Sequence, residues 1–126
     1  MKRRRFACDE NGSSVIEFAI VAAPLLLLIA GIAQVAIWLW IEFSLQHGAE
    51  LAARCATYNP TNCANATSIT TYAASKVYGL TVAPAAFVYT QATCGNQVTA
   101  SLATANFLAS IGAPAMTASA QACFPK

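Results

Sequence analysis

The sequence predicts an α+β fold: a long N-terminal membrane-spanning helix continues into a small exported domain with a second helix and a three-stranded antiparallel sheet. Three observations predict it. From Phe18 to Ile41 there are 24 consecutive residues without a charge. Two further stretches, one after Glu42 and one from about Ala66 to Tyr78, carry helical periodicity. From Leu80 onward the composition turns to β-branched, aromatic and alternating residues. The chain has 126 residues, enough for one small domain beyond the apolar run. Hydrophobic residues make up 57% and charged residues 10%, too apolar a balance for an ordinary soluble domain.

The apolar run justifies the first element. As a helix its 24 residues reach about 36 Å, more than the ~30 Å hydrocarbon core of a bilayer. Pro24 and Gln34 interrupt it, and membrane helices tolerate both. The alternative, a helix buried in a soluble core, needs more protein around it than the remaining residues supply. Nothing stops the helix at the outer surface. In "FSLQHGAELAARCA" Leu45, Ala49, Ala52, Ala53 and Ala56 share one face, while Gln46, Glu50 and Arg54 share another. Gly48 is expected to weaken this stretch by roughly 1 kcal/mol relative to Ala. Asn59-Pro60 then breaks the helix.

The second helix is expected over about Ala66 to Tyr78, with Asn65 as N-cap and Gly79 as the residue past its end. The first strand is expected within "LTVAPAAFVYTQATC", followed by a turn at "GN". In "QVTASLATANFL", Val98, Ala100 and Leu102 alternate with Thr99 and Ser101, and the pattern lapses at Ala103 and Thr104. "SIGAPA" reads as a loop and "MTASAQACF" as a third alternating strand.

Charge orients the chain. Lys2, Arg3, Arg4 and Arg5 outweigh Asp9 and Glu10 ahead of the apolar run, whereas the charges from residue 13 onward cancel. The positive-inside rule therefore places the N-terminus in the cytoplasm and exports the C-terminal part. A neutral exported part gives no electrostatic reason to expect nucleic acid.

The cysteines fit this topology. Cys8 falls on the reducing side, and Cys55, Cys63, Cys94 and Cys123 on the side where disulfides persist. Four cysteines allow three pairings. In a meander the third strand returns along the second, which carries Cys123 toward Cys94. Cys55 and Cys63 flank the interhelix turn. The expected disulfides are thus Cys55–Cys63 and Cys94–Cys123, worth about 2.6 and 3.6 kcal/mol on the loop-closure model. Spacings of 8, 31 and 29 positions do not resemble the close pairs of zinc sites, so no metal or other cofactor is expected. Nor is catalysis. Past the membrane there is one histidine, His47, and no aspartate to complete a Ser–His–Asp set.

One stretch carries a more specific signal. In "NGSSVIEFAI" a short basic leader ends at Gly12, small residues follow, and Glu17 and Phe18 precede the long apolar helix. A carboxylate inside a bilayer costs ~2.5–3.5 kcal/mol. Snorkelling at the membrane edge accounts for Glu17 alone but not for the whole set. The set resembles the type IV prepilin cleavage signal. With Pro24 and "LLLLIAG" added, "GSSVIEFAIVAAPLLLLIAG" is similar to the N-terminus of TadE-like minor pseudopilins of tight-adherence (Flp) pili. The likeness covers about residues 12–56 and is architectural beyond Ala56; the short ectodomain differs from the large TadG type.

The resemblance implies cleavage between Gly12 and Ser13 by a membrane prepilin peptidase. It implies that Glu17 and Phe18 serve recognition and assembly, with Glu17 meeting the new Ser13 amine of a neighbour or of its own chain. The implied partners are the prepilin peptidase, other pilins and pseudopilins, the inner-membrane pilus assembly machinery and the lipid bilayer. The implied place is the bacterial inner membrane with a periplasmic domain, the protein either staying there or entering a surface pilus. The expected divisions are a leader at 1–12, a transmembrane helix at 13–43 and an exported α+β domain at 44–126. Two rivals share parts of this pattern. A secretory signal peptide has a shorter apolar region than this one. An uncleaved single-pass anchor carrying a small disulfide-linked binding domain shares the topology and differs in its N-terminus.

Overall fold

The computed structural model describes residues 11–107 and 109–126, and at 11–13 and 111 the backbone alone. Of the expected leader, residues 1–10 with Cys8 lie outside the described residues. The chain divides into two compact units, Met1–Ala33 and Gln34–Lys126. The elements are helix α1 (Asn11–Tyr58), helix α2 (Ala66–Ser75) and strands β1 (Phe87–Ala92), β2 (Gly95–Thr104) and β3 (Met116–Phe124). This is the expected α+β arrangement.

In the first unit the described part of α1 is apolar on every side. Its large side chains, including Ile16, Phe18, Val21, Leu25, Leu28 and Ile32, are all exposed. A helix with no polar face has no orientation to prefer in water and fits hydrocarbon instead. Pro24 sits inside it without ending it.

In the second unit the core gathers around α1. Ile41, Leu45, Ala49, Ala52 and Ala53 meet Ile69 and Ala73 of α2, and Phe87, Val98, Ala100, Ala118, Ala120 and Ala122 of the sheet. The face of α1 expected from its periodicity is the buried one. Most of these side chains are alanine, so the layers approach closely. Gly48 makes this possible: a Cβ there would lie 2.9 Å from the Ala73 carbonyl oxygen and 3.2 Å from Val77 Cγ2. The residue expected only to weaken α1 is the point where α2 crosses it.

Helix α2 starts as the sequence indicates. Asn65 Oδ1 accepts from the Ser68 N–H at 2.8 Å, and Ser68 Oγ accepts from the Asn65 N–H at 3.1 Å, a reciprocal capping box. It ends three residues earlier than expected. The Lys76 N–H closes a tight turn on Ala73 O, and Ser75 Oγ donates to Tyr72 O. A helix so rich in Ser and Thr bonds its own carbonyls through side chains and holds its last turn weakly. Gly79, with φ 69°, lies in the chain beyond.

The sheet is an antiparallel meander in the order β1-β2-β3. Strand β1 begins at Phe87, inside the stretch expected to hold it. Pro84 opens a single 3-10 turn over Pro84–Ala86, having no N–H to give to a ladder. The β1–β2 turn is Thr93-Cys94, with Ala92 paired to Gly95, so the "GN" expected as the turn already belongs to β2. Thr93 and Cys94 keep negative φ, and Gly95 takes φ 123° at a point where a Cβ would collide with Phe124 O. Strand β2 ends at Thr104, where the alternation lapses, and β3 covers the full alternating stretch. Between Lys76 and Lys126 there is no Asp, Glu, Lys, Arg or His.

The meander carries Cys123 to Cys94. The pairs Cys55/Cys63 and Cys94/Cys123 stand at disulfide distance, with Cα atoms 5.9 and 6.2 Å apart. These are the two pairs that the turn and the meander bring together.

Candidate membrane and assembly segment

Helix α1 already exists where the expected cleavage point lies, since it begins at Asn11. Gly12 and Ser13 are therefore in its first turn, where only the backbone is described. Glu17 and Phe18 follow about one turn later, both exposed, Phe18 at 75%. Ser13 and Glu17 are four positions apart in the helix, a rise of about 6 Å along the axis. Among the described residues α1 is the one helix long and apolar enough to cross a membrane, with none of its most apolar window buried. This fits a single-pass membrane protein.

A second group of residues on α1 escaped the sequence reading. Gln34, expected as an interruption tolerated in the bilayer, is 4% exposed. Its Nε2 donates to Ala105 O at 3.2 Å and its Oε1 accepts from the Phe107 N–H at 3.3 Å. One turn on, Trp38 Nε1 donates to Thr117 O at 3.2 Å. Two turns further, Gln46 Nε2 donates to Gln121 O at 3.1 Å and Oε1 accepts from the Gln121 N–H at 3.2 Å. These three side chains lie on one i,i+4 row of α1 and satisfy the outer backbone edge of β3 and the turn before it. An edge strand left open is a template for unwanted pairing, and side-chain amides close it as a neighbouring strand would. The row Gln34–Trp38–Gln46 is visible in the sequence, but Gln34 reads as an interruption of the apolar run and Gln46 as part of a polar face until β3 is placed beside them.

The rest of the polar face is also occupied. Glu50 Oε1 accepts from Gln46 Nε2, and the Arg54 guanidinium lies 5.5 Å over the Phe124 ring. His47 packs against Tyr78, ring centroids 5.1 Å apart. A cleft of about 470 Å³ near the interhelix turn is lined by Thr57, Tyr89, Gln91, Asn96 and Lys126 among others. Its buried Asn96 is committed on both sides, accepting from Tyr89 OH at 2.8 Å and donating to Thr57 Oγ1 at 2.9 Å. Those bonds hold β1, β2 and α1 together. Among the described residues no group of three His, Cys, Asp or Glu could hold a metal ion.

Residues 12–54 match the family model described as TadE-like protein, about a third of the chain. The matched region holds Gly12, Glu17, Phe18 and the whole Gln34–Trp38–Gln46 row, and it stops just before Cys55. No curated protein and no solved structure matches the chain.

Proposed function

From the TadE-like segment at residues 12–54 we propose that this protein is a minor pseudopilin acting in the assembly of tight-adherence pili for surface adhesion. The observation that carries the reading is the spacing Gly12–x4–Glu17–Phe18 at the head of a helix apolar on all sides. A prepilin peptidase cuts between Gly12 and Ser13 on the cytoplasmic face. The basic leader ahead of the helix supports that orientation. The exported unit is then periplasmic, where its cysteine pairs persist as disulfides.

The chemistry of assembly follows from the first turn. Cleavage gives Ser13 a free, positively charged amine at the start of a preformed helix. Opposite charges attract strongly in a poorly hydrated bundle, and leaving one unpaired is costly. Pairing Glu17 with the Ser13 amine of a packed neighbour, or of its own chain, fixes the axial stagger between helices. Apolar contacts alone fix it poorly, because similar side chains slide past one another at little cost. The other pilins, pseudopilins and inner-membrane assembly proteins are the partners this role requires. The protein works as a structural component rather than as an enzyme.

N-terminal sequencing and intact mass of the membrane-extracted protein test the reading. Removal of the first 12 of 126 residues leaves a mature chain of 114 beginning at Ser13. Met1 or Lys2 retained in a host with an active prepilin peptidase would leave an uncleaved anchor carrying a small disulfide-linked binding domain.

A further inference from the structure

The two edges of the sheet are finished differently. At the outer edge of β3, Trp38 and Gln46 take backbone groups of Thr117 and Gln121. The outer edge of β1 has no such cover. Ala92 and Gly95 close the two-residue hairpin as a hydrogen-bonded pair, so bonded and non-bonded pairs alternate back along the ladder. The backbone groups of Val88 and Thr90 therefore turn inward to β2, and those of Phe87, Tyr89 and Gln91 turn outward. The Phe87 N–H is bonded to Pro84 O. Among the described residues, the backbone N–H and C=O of Tyr89 and Gln91 have no partner.

Native sheets blunt such an edge with a charge, a proline, a bulge or a very short strand. Strand β1 has six residues, Phe87–Ala92, with no charge and no proline, and its register with β2 runs without a bulge. Val88, Thr90 and Gln91 are exposed on it, Val88 at 53%.

The surroundings say what an added strand carries. In a strand laid along β1, every second side chain falls on the face of Tyr89 and Gln91. Tyr89 and Gln91 line the cleft of about 470 Å³ together with Asn65, Ile69 and Lys126. Lys126 Nζ donates to Gln91 Oε1 at 3.1 Å, a neutral acceptor. No Asp or Glu follows Glu50, so residues 51–126 carry Arg54, Lys76 and Lys126 against no acid. A carboxylate entering the cleft has a cation to meet. Any further charge on the strand finds no counter-charge in the sheet, since none stands between Lys76 and Lys126. A second copy of β1, "FVYTQA", brings no carboxylate.

We infer that the outer edge of β1 is a docking site for an extended segment of a partner protein. The segment adds as a fourth strand, with one acidic side chain directed to Lys126 and no other charge. Ladder bonds supply affinity and the cleft selects the side chain. The site does not depend on a role in pili, since neither β1 nor Lys126 lies in the TadE-like segment.

The test uses the full chain in detergent micelles and a fluorescent peptide of alternating Val and Thr with a central Glu in place of one Thr. The same peptide with Lys for Glu is the control. Hydrogen exchange is followed at the outward amides of Tyr89 and Gln91 and at the inward amides of Val88 and Thr90. In the free chain the first two should exchange fast and the second two slowly. Saturating Glu peptide should slow Tyr89 and Gln91 at least about tenfold. It should bind about threefold more tightly than the Lys peptide, and Lys126→Glu should reverse that preference. Gln91→Pro removes an outward N–H and no ladder bond, so it should weaken binding with both cysteine pairs intact. Binding that leaves Tyr89 and Gln91 fast, or no binding at about 1 mM peptide, overturns the site. Equal affinity for the two peptides overturns the acidic partner. Slow exchange at Tyr89 and Gln91 in the free chain also overturns it: protection that fades on dilution means a second copy covers the edge, and protection that persists means the chain covers it itself. Should Gln91→Pro disturb the fold, the reversal at Lys126→Glu decides.

Discussion

Gln46 on α1 and Gln121 on β3 exchange two hydrogen bonds, the side-chain amide of the first closing on the backbone N–H and C=O of the second at 3.2 and 3.1 Å. Gln46→Met keeps the length of the side chain and removes both bonds. The edge is open to water, so each lost bond is worth about 0.5–1.5 kcal/mol rather than the full penalty of a buried group. Denaturant unfolding in detergent should show a loss of about 1–2 kcal/mol. Hydrogen exchange at the Gln121 amide should accelerate while the β2–β3 ladder amides stay protected. Unchanged exchange at Gln121 would mean that the bonded geometry is not maintained in solution.

Gly48 offers a sharper test of the core. Gly48→Val places a branched side chain against Ala73 O and Val77. The helix itself gains from losing a glycine, by up to about 1 kcal/mol, so a purely local view predicts stabilisation. Overpacking at the α1–α2 crossing should win, with a net loss of about 1–3 kcal/mol and a lowered melting temperature. A raised melting temperature would contradict the close crossing.

The cysteine pairs should appear as Cys55–Cys63 and Cys94–Cys123 in non-reducing peptide maps, with Cys8 a free thiol in the precursor. On the loop-closure model, loss of the second link costs the unit about 3.6 kcal/mol and loss of the first about 2.6. Cys94→Ala should therefore lower stability more than Cys63→Ala. A Cys55–Cys94 or Cys63–Cys123 link would refute the meander as well as the pairing.

Glu17→Gln separates an assembly role from a mere membrane cost. If Glu17 only snorkels, the neutral amide inserts slightly more easily and function is untouched. If it pairs with a Ser13 amine, expression, insertion and both cysteine pairs stay normal. Cross-linking to pilin-like partners and surface pilus number fall. The peptidase also meets this position, so processing is measured in the same samples. Normal processing with normal pilus number would falsify the register role.

Local chemistry was legible in the sequence where one residue decides one feature. Asn65 caps α2 because its side chain reaches the Ser68 N–H. The alternation of "MTASAQACF" gives β3 because Ala118, Ala120 and Ala122 must share a face. The limits of β1 and of its turn were less legible, because Pro84 and Gly95 act through geometry rather than composition. The TadE-like match covers residues 12–54 and needs no fold to be seen. The glutamine row does need it. Gln34 and Gln46 are polar residues on a helix, and only the edge of β3 turns them into backbone partners.

The lack of charge in the sheet also bears on acid. Between Lys76 and Lys126 there is no Asp, Glu, Lys, Arg or His. The ladders of β1, β2 and β3 therefore hold no side chain of those kinds to bind or release a proton on unfolding, and by linkage they add no slope of their own to stability between about pH 5 and 8.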